Sequence, residues 1–293
     1  MGKSLLDRTY YLLIYAIVVA AIVVTLWPFV YVVSISLSSV DAINRHQVYL
    51  FPVDISMAGY RMVLLDPAVW TSYFNTVWYT VVGTCLNIGA TCLAAYPLSR
   101  KSFFLRKKLN FFVAFTMYFS GGLIPAYIIV TSLGLYNSRW VMVLPLLVVT
   151  FNVMILRSAF EGLPEEIFES AKMDGANDIT LLLRIAIPMA KPTLAVLTLY
   201  YAVMHWNDFF TALLYLGDDG LQPLQIFLRR VLIMASPEIL QRMGGDIAGN
   251  ALAVSTLQVR YVSVVVSIVP IMLVYLFIQK YFVKGITLGA VKG

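Results

Sequence analysis

The chain has 293 residues, of which 60% are hydrophobic and only 12% charged, with a mean hydropathy of +0.84 and a formal net charge of +6 at pH 7. A soluble domain carries about 25% charged residues, so this composition cannot clothe a globular surface and instead defines an integral membrane protein. The positive charge does not mark a nucleic-acid binder, because the basic residues are distributed along the chain as membrane topology requires.

Apolar runs long enough to cross a hydrocarbon core of about 30 Å as helices recur throughout, and long stretches of period-2 alternation are absent. The predicted fold is all-α, with six transmembrane helices in one domain over residues 1–293. Residues 10–72 form the first span and an outer loop, and 73–283 a five-span core. The first span is Tyr10–Leu37, with Pro28 inside it. It is longer than the 7–15 apolar residues of a signal peptide and is expected to be retained. A polar loop at 38–72 carries turn signals at Phe51-Pro52 and Asp66-Pro67. The second span, 73–98, contains Asn75, Asn87, Cys85 and Cys92. Two cysteines seven residues apart on a helix are two turns apart, too far to bond, and are expected to be small buried apolar groups.

A basic loop follows, with Arg100, Lys101, Arg106, Lys107 and Lys108. The third span, 109–133, is interrupted by Ser120-Gly121-Gly122 and Pro125, which predicts a kink or break. The fourth span is 140–157, with Pro145 in it, and the fifth is 193–216. A long polar loop, 217–260, leads to the sixth span, 261–282. Six spans place both termini on one side. That side receives 14 of the 21 Lys and Arg residues, and the other receives Arg45, Arg61, Arg139, Arg229, Arg230, Arg242 and Arg260. The positive-inside rule then makes the termini, the Arg100–Lys108 loop and the 161–192 stretch cytoplasmic. The location expected is the bacterial cytoplasmic (inner) membrane, multi-pass.

Chemistry is conspicuously missing. No phosphate-binding GxxxxGK[ST] is present, and His46 and His205, the only histidines, have no metal-ligand spacing around them. No Ser-His-Asp set or catalytic carboxylate pair stands out, so no enzyme activity, metal or cofactor is expected in this chain. Asp208 is the one acid inside an apolar segment, which suits proton or cation binding or a polar role at a helix end.

The stretch 161–192, EGLPEEIFESAKMDGANDITLLLRIAIPMAKP, holds six of the chain's 15 acidic residues. Pro164 suits the first turn of a helix, and Glu165, Glu166 and Glu169 lie where the helix dipole favours negative charge. Ile167, Phe168, Ala171 and Met173 provide apolar contacts, and Gly175 after Asp174 suits a left-handed stop. A second amphipathic piece, 177–187, is expected to end at Pro188, with Pro192 opening the next span. The result is a short helix between two spans. Its acidity disfavours anionic lipid, which prefers Lys and Arg, and favours a protein partner.

Glu169-Ser170-Ala171, three residues, Gly175, nine residues, then Ile185-Ala186-Ile187-Pro188 resembles the EAA motif of ABC importer permeases, departing from it at Ser170 and Ile187. Asp174-Gly175-Ala176, Pro188-Met189-Ala190-Lys191-Pro192, Trp206-Asn207-Asp208 and the FP…GY segment at 51–60 are similar to the carbohydrate-uptake branch. Within it, the chain resembles the second permease subunit of polysaccharide-fragment importers, the LplC-like and alginate-importer group. That resemblance implies the type I importer fold with a cytoplasmic coupling helix. It implies docking on an ATPase through Glu165, Glu166, Phe168, Glu169, Ser170, Ala171, Met173, Asp174, Gly175 and Ala176. It further implies a second homologous permease chain, two ATPase subunits that bind ATP and Mg, an external solute-binding protein and surrounding membrane lipid. Sugars are held by aromatic faces and amide or carboxylate groups, so Asn75, Asn87, Tyr118, Asn152, Trp206, Asn207 and Asp208 are candidates for the substrate path. Two alternatives are a self-sufficient ion-coupled transporter, suggested by Asp208 and the broken third span, and an ABC permease for a non-sugar solute. A membrane enzyme is least in keeping with the absent catalytic set.

Overall fold

The computed structural model describes residues 5–234 and 258–273. Among these the regular structure is helical, with no strand. Residues 235–257 of the long loop, and the parts of the predicted sixth span and basic tail beyond 273, lie outside the described residues. The chain divides into two compact units, Met1–Trp70 with Phe227–Val269, and Thr71–Ile226 with Pro270–Gly293. Two described helices, Tyr10–Leu37 and Pro67–Ser99, are long and apolar enough to cross a membrane, and a bent pair makes a third crossing if counted as one span.

In the first unit, α1 (Leu5–Leu37) exposes apolar side chains along most of its length, from Tyr10 to Val33, as a lipid-facing helix must. Its far end is polar and buried. Ser34 Oγ donates to the Leu50 carbonyl at 2.6 Å, Ser38 Oγ accepts from Val53 N at 3.1 Å, and Ser36 Oγ lies 2.9 Å from Tyr60 Oη. The helix end is thereby tied to α2 (Val40–Asn44), α3 (Ala58–Leu65) and their connections. From α14 (Gln258–Leu273), Gln258 Nε2 donates to the Ser38 carbonyl at 2.9 Å, so the carbonyl just beyond the end of α1 is satisfied by a side chain. Gly59 permits this approach, since a Cβ there would lie 3.0 Å from the Gln258 side chain.

The second unit is built on α4 (Pro67–Ser99). Ser72, Asn75, Thr76, Tyr79, Gly83, Asn87, Thr91, Ala95 and Leu98 recur every three or four residues and are all buried, while Phe74, Val77, Val81, Leu86 and Leu93 are exposed. Polar groups therefore face the protein and apolar groups face outward, the arrangement a bilayer demands. Cys85 is exposed rather than buried because it falls on that outer stripe; Cys92 is buried, and both are free.

The predicted break in the third span is present. α5 (Arg106–Phe115) and α6 (Leu123–Ser132) are separated at Gly122, whose φ of +84° requires the freedom of glycine. The fourth span departs from expectation. Only a 3₁₀ turn, Arg139–Met142, precedes a non-helical stretch, and α7 begins at Thr150 and runs to Glu161. Pro145 cannot donate to a helical ladder, and Asn87 stabilises the irregular backbone by donating to the Leu146 and Leu147 carbonyls at 2.7 and 2.9 Å. The fifth span is also interrupted, between α11 (Lys191–Trp206) and α12 (Phe210–Tyr215). α13 (Leu224–Met234) is the last element before residues 235–257, and α14 follows them.

Candidate docking site

α8 (Glu165–Met173) is the polar helix that the sequence predicts. Pro164 is its N-cap rather than lying in its first turn, Glu165 and Glu166 occupy that turn, and Lys172 occupies the last. Charges of these signs at these ends suit the helix dipole. The helix stops where the sequence predicts. Gly175 has a φ of +85°, Gly175 N donates to the Lys172 carbonyl and Ala176 N to the Ala171 carbonyl, both at 3.0 Å. This pair of bonds is the Schellman stop, and glycine fits it because the left-handed region costs other L-residues about 1–2 kcal/mol.

After it come α9 (Asp178–Leu181), a wider π turn at Leu182–Ala186, and α10 (Ile187–Met189). Pro188 does not end the piece, contrary to expectation. The wide turn just before it accommodates the missing N–H and the ring. The chain turns instead after Met189, where α9–α10 and α11 meet at 86°.

The two faces of α8 do different things. Phe168 is 3% exposed and packs into a core with Tyr96, Leu98, Leu156, Phe160 and Leu181, while Ala171 and Ala176 lie against the same core. These three of the predicted docking residues hold α8 to its own chain. Glu166, Glu169, Ser170, Met173, Asp174 and Gly175 are exposed, Met173 to 89%.

Arg100, immediately after α4, clamps the inner face. Its guanidinium lies 4.0 Å from the Phe168 ring centroid and 5.4 Å from that of Tyr96, and Nη2 donates to the Phe160 carbonyl at 2.5 Å. Burial draws its pKa below the usual arginine value, but a guanidinium stays charged throughout the range proteins experience. Around it, Glu161 accepts from Arg106 and from Arg157 (2.7 Å), and Lys101 Nζ lies 2.8 Å from Glu165. The Lys101 hydrogen bond lowers the Glu165 pKa, and the same bond raises that of Lys101. Two of the six acids are therefore engaged within the chain, and Glu166 and Glu169 carry no ion pair among the described residues.

The candidate path residues are not brought together at one site. Asn75 donates to the Gly220 and Gln222 carbonyls, Asn87 to the 146–147 backbone, and Asn152 is buried. These first two are structural ties. Tyr118 is 83% exposed. Trp206, Asn207 and Asp208 fall at the break at the end of α11, where Asp208 Oδ1 accepts from Thr211 N, in the first turn of α12, at 3.0 Å. Trp206 Nε1 and Asp208 Oδ2 are buried atoms without a hydrogen-bond partner there. His205 has a role that sequence reasoning missed. Its Nε2 lies 2.6 Å from Asn87 Oδ1, and its ring packs on Gly83. Because Asn87 uses its amide nitrogen on two carbonyls, its oxygen accepts, and His205 Nε2 carries the proton. Among the described residues no cluster of three or more His, Cys, Asp or Glu is placed to hold a metal.

The structure thus presents, on a multi-pass helical membrane protein, a capped polar helix that is clamped from behind and exposed in front. The model of the binding-protein-dependent transport system inner membrane component matches residues 2–288, and the chain belongs to that family. It is 37% identical over 289 residues to the polygalacturonan/rhamnogalacturonan transport system permease protein YtcP of Bacillus subtilis (strain 168), covering 98% of this chain and 99% of that protein. It is 38% identical over 270 residues to Protein LplC of the same organism, covering 92% and 90%. A chain in the crystal structure of a bacterial ABC transporter involved in the import of the acidic polysaccharide alginate superposes with a TM-score of 0.87 at 34% identity, covering 96% of this chain and 99% of that one. The protein is thus a permease of the ABC transporter class, a membrane component with the type I permease fold.

Proposed function

We propose that this chain is one half of the translocation pathway of an importer for oligosaccharides released from an acidic polysaccharide. A second, homologous permease completes the pathway. An external solute-binding protein delivers the sugar, and two ATPase subunits, which bind ATP and Mg, dock on the α8 side. Both termini and α8 then lie in the cytoplasm. The substrate class is suggested by the pectic and alginate systems to which the similar proteins belong.

The observation that carries the reading is the division of α8. Its inner face is fastened by Phe168 and Arg100, and its outer face offers Met173, Glu166 and Glu169. A helix fastened on one side transmits displacement applied to the other. Closure of the ATPases would move α8 and, through Arg100, the end of α4. Of the path candidates, Trp206 and Asp208 suit contact with sugar best, because each retains a buried polar atom without a partner.

The test is reconstitution of the chain with its partners in proteoliposomes. Uptake of oligogalacturonide should require both ATP and the binding protein. Glu169→Lys or Met173→Asp should release the ATPase in a pull-down while the permease pair stays assembled. Uptake by the chain alone on an ion gradient would sink the proposal, and so would undiminished ATPase association in both variants.

A further inference from the structure

The first unit contains a cleft of about 420 Å³ at the C-terminal end of α1, lined by Tyr31, Ile35, Asn44, His46, Tyr49 and Tyr261 with two further aliphatic side chains. Its size falls within the roughly 300–1,000 Å³ of small-ligand sites. Tyr31 and Tyr261 meet edge to face at 6.4 Å and form a half-buried aromatic wall. Tyr49 is 68% exposed at the mouth. The side-chain polar groups of Tyr31, Asn44, His46, Tyr49 and Tyr261 make no hydrogen bond among the described residues, and Asn44, His46 and Tyr49 are exposed. Five free donors or acceptors therefore rim one aromatic hollow.

His46 adds an independent observation. It has a φ of +53° and occupies the left-handed position that ends α2, where His46 N donates to the Ile43 carbonyl and Gln47 N to the Ala42 carbonyl. Glycine would make the same turn without the steric cost. The imidazole stands at a position where the backbone alone prefers no side chain, and it lines the cleft. Backbone strain of this kind is a pointer to function when it sits at a ligand site.

We propose that this cleft is a saccharide subsite. A pyranose has an apolar C–H face and a hydroxyl edge, which match an aromatic wall rimmed by amide, imidazole and phenol groups. A lipid tail would leave those rim groups unpaired. The inference rests on the oligosaccharide reading above. With α1 entering from the cytoplasm, the cleft lies at the outer end of the span, where a sugar leaving the binding protein would first meet the permease.

The experiment uses the assembled complex in nanodiscs, without binding protein, and equilibrium binding of fluorescent trigalacturonide, with maltotriose as a neutral probe. The wild type should bind at least one probe saturably. His46→Gly and Tyr49→Ala should each weaken binding about tenfold, the loss of one good contact at about 1.4 kcal/mol. His46→Gly should also melt no lower than the wild type, which separates ligand binding from a structural role. The idea is overturned if the wild type binds neither probe, if the variants bind as the wild type does, or if affinity falls only in step with melting temperature. It is equally overturned if the variants lose only binding-protein-stimulated ATP hydrolysis, because a protein loop would then be the occupant. ATP-driven saccharide uptake by the wild-type complex is followed in parallel. Its absence defeats the oligosaccharide reading, whereas normal uptake with cleft variants that bind normally defeats this inference alone.

Discussion

Replacing Arg100 with methionine should unfasten α8 without unfolding the chain. Methionine keeps an unbranched apolar stem against Phe168 and removes the charge. The strongest of the lost interactions are the charge-assisted bond from Nη2 to the Phe160 carbonyl at 2.5 Å and the stack on Phe168 at 4.0 Å. A hydrogen bond to a charged group contributes about 1.5–3 kcal/mol, and a partly exposed cation–π contact about 1 kcal/mol. The Phe160 carbonyl keeps a long backbone bond from Leu163 N at 3.4 Å, so it is not stranded, and the lower part of the summed range applies. The local cost is therefore about 2.5–3 kcal/mol. Amide exchange in residues 165–173 should accelerate about 60- to 150-fold, since each 1.4 kcal/mol is a factor of ten. Exchange in the middle of α4 should not change. In the reconstituted complex, ATP hydrolysis should persist while uptake falls, because the ATPase still grips a helix that no longer pulls on α4. Exchange altered by less than threefold, or accelerated equally through α4 and α7, would refute the clamp.

Three further outcomes follow from the geometry. Gly175→Asp should cost about 1 kcal/mol of local stability, because the left-handed backbone penalises any Cβ although the surrounding space is open, and uptake should fall with it; unchanged uptake would count against the stop being needed. Gly83→Ala places a Cβ against the His205 ring, 2.6 Å from Cε1, and the ring is held by its bond to Asn87, so melting should drop by the equivalent of about 1–3 kcal/mol; adding His205→Ala should recover part of that loss, and a strictly additive double variant would contradict the packing. The Lys101–Glu165 pair sets a pH window. The Glu165 pKa is depressed below 4.5, so its contribution is present above 4.5 and is lost as pH falls through the lowered value. The Lys101 pKa is raised above 10.5, so its contribution is present below 10.5 and is lost as pH rises through the raised value. Titration of the pair by NMR should show no event between these limits, and one near neutrality would disprove the contact.

The polar groups of α4 explain much of how the second unit is held. Asn75 and Tyr79 bind the backbone at 220–222 and Asn87 binds that at 146–147, places where the chain is not α-helical, and Thr76 Oγ1 accepts from Leu224 N at the start of α13. In a bilayer no water satisfies such backbone, so side chains from a neighbouring helix must do so. The two interruptions missed from sequence are linked to this fact. The fourth span is broken near Pro145 and the fifth at Asn207, and the groups that stabilise the broken backbone come from a residue distant in sequence, Asn87, or from Asp208, which accepts from Thr211 N.

What the sequence alone determined is local or compositional. Its hydropathy set the membrane class, Ser120 to Pro125 set the break in the third span, and the run from Glu165 to Gly175 set a capped helix. Propensity, dipole and glycine stops act within a few residues, so they can be read without knowing the partners. Tertiary structure alone decided which side of that helix faces outward. Phe168 and Met173 are equally apolar in the sequence, yet one is 3% and the other 89% exposed, because Arg100, Phe160 and Leu181 arrive from other elements to cover the first. The acids divided for the same reason: Glu161 and Glu165 are engaged by Arg106 and Lys101, 55 and 64 residues away, leaving Glu166 and Glu169 outward. Pairing over such separations depends on the fold bringing the partners together, and no local pattern of residues encodes it.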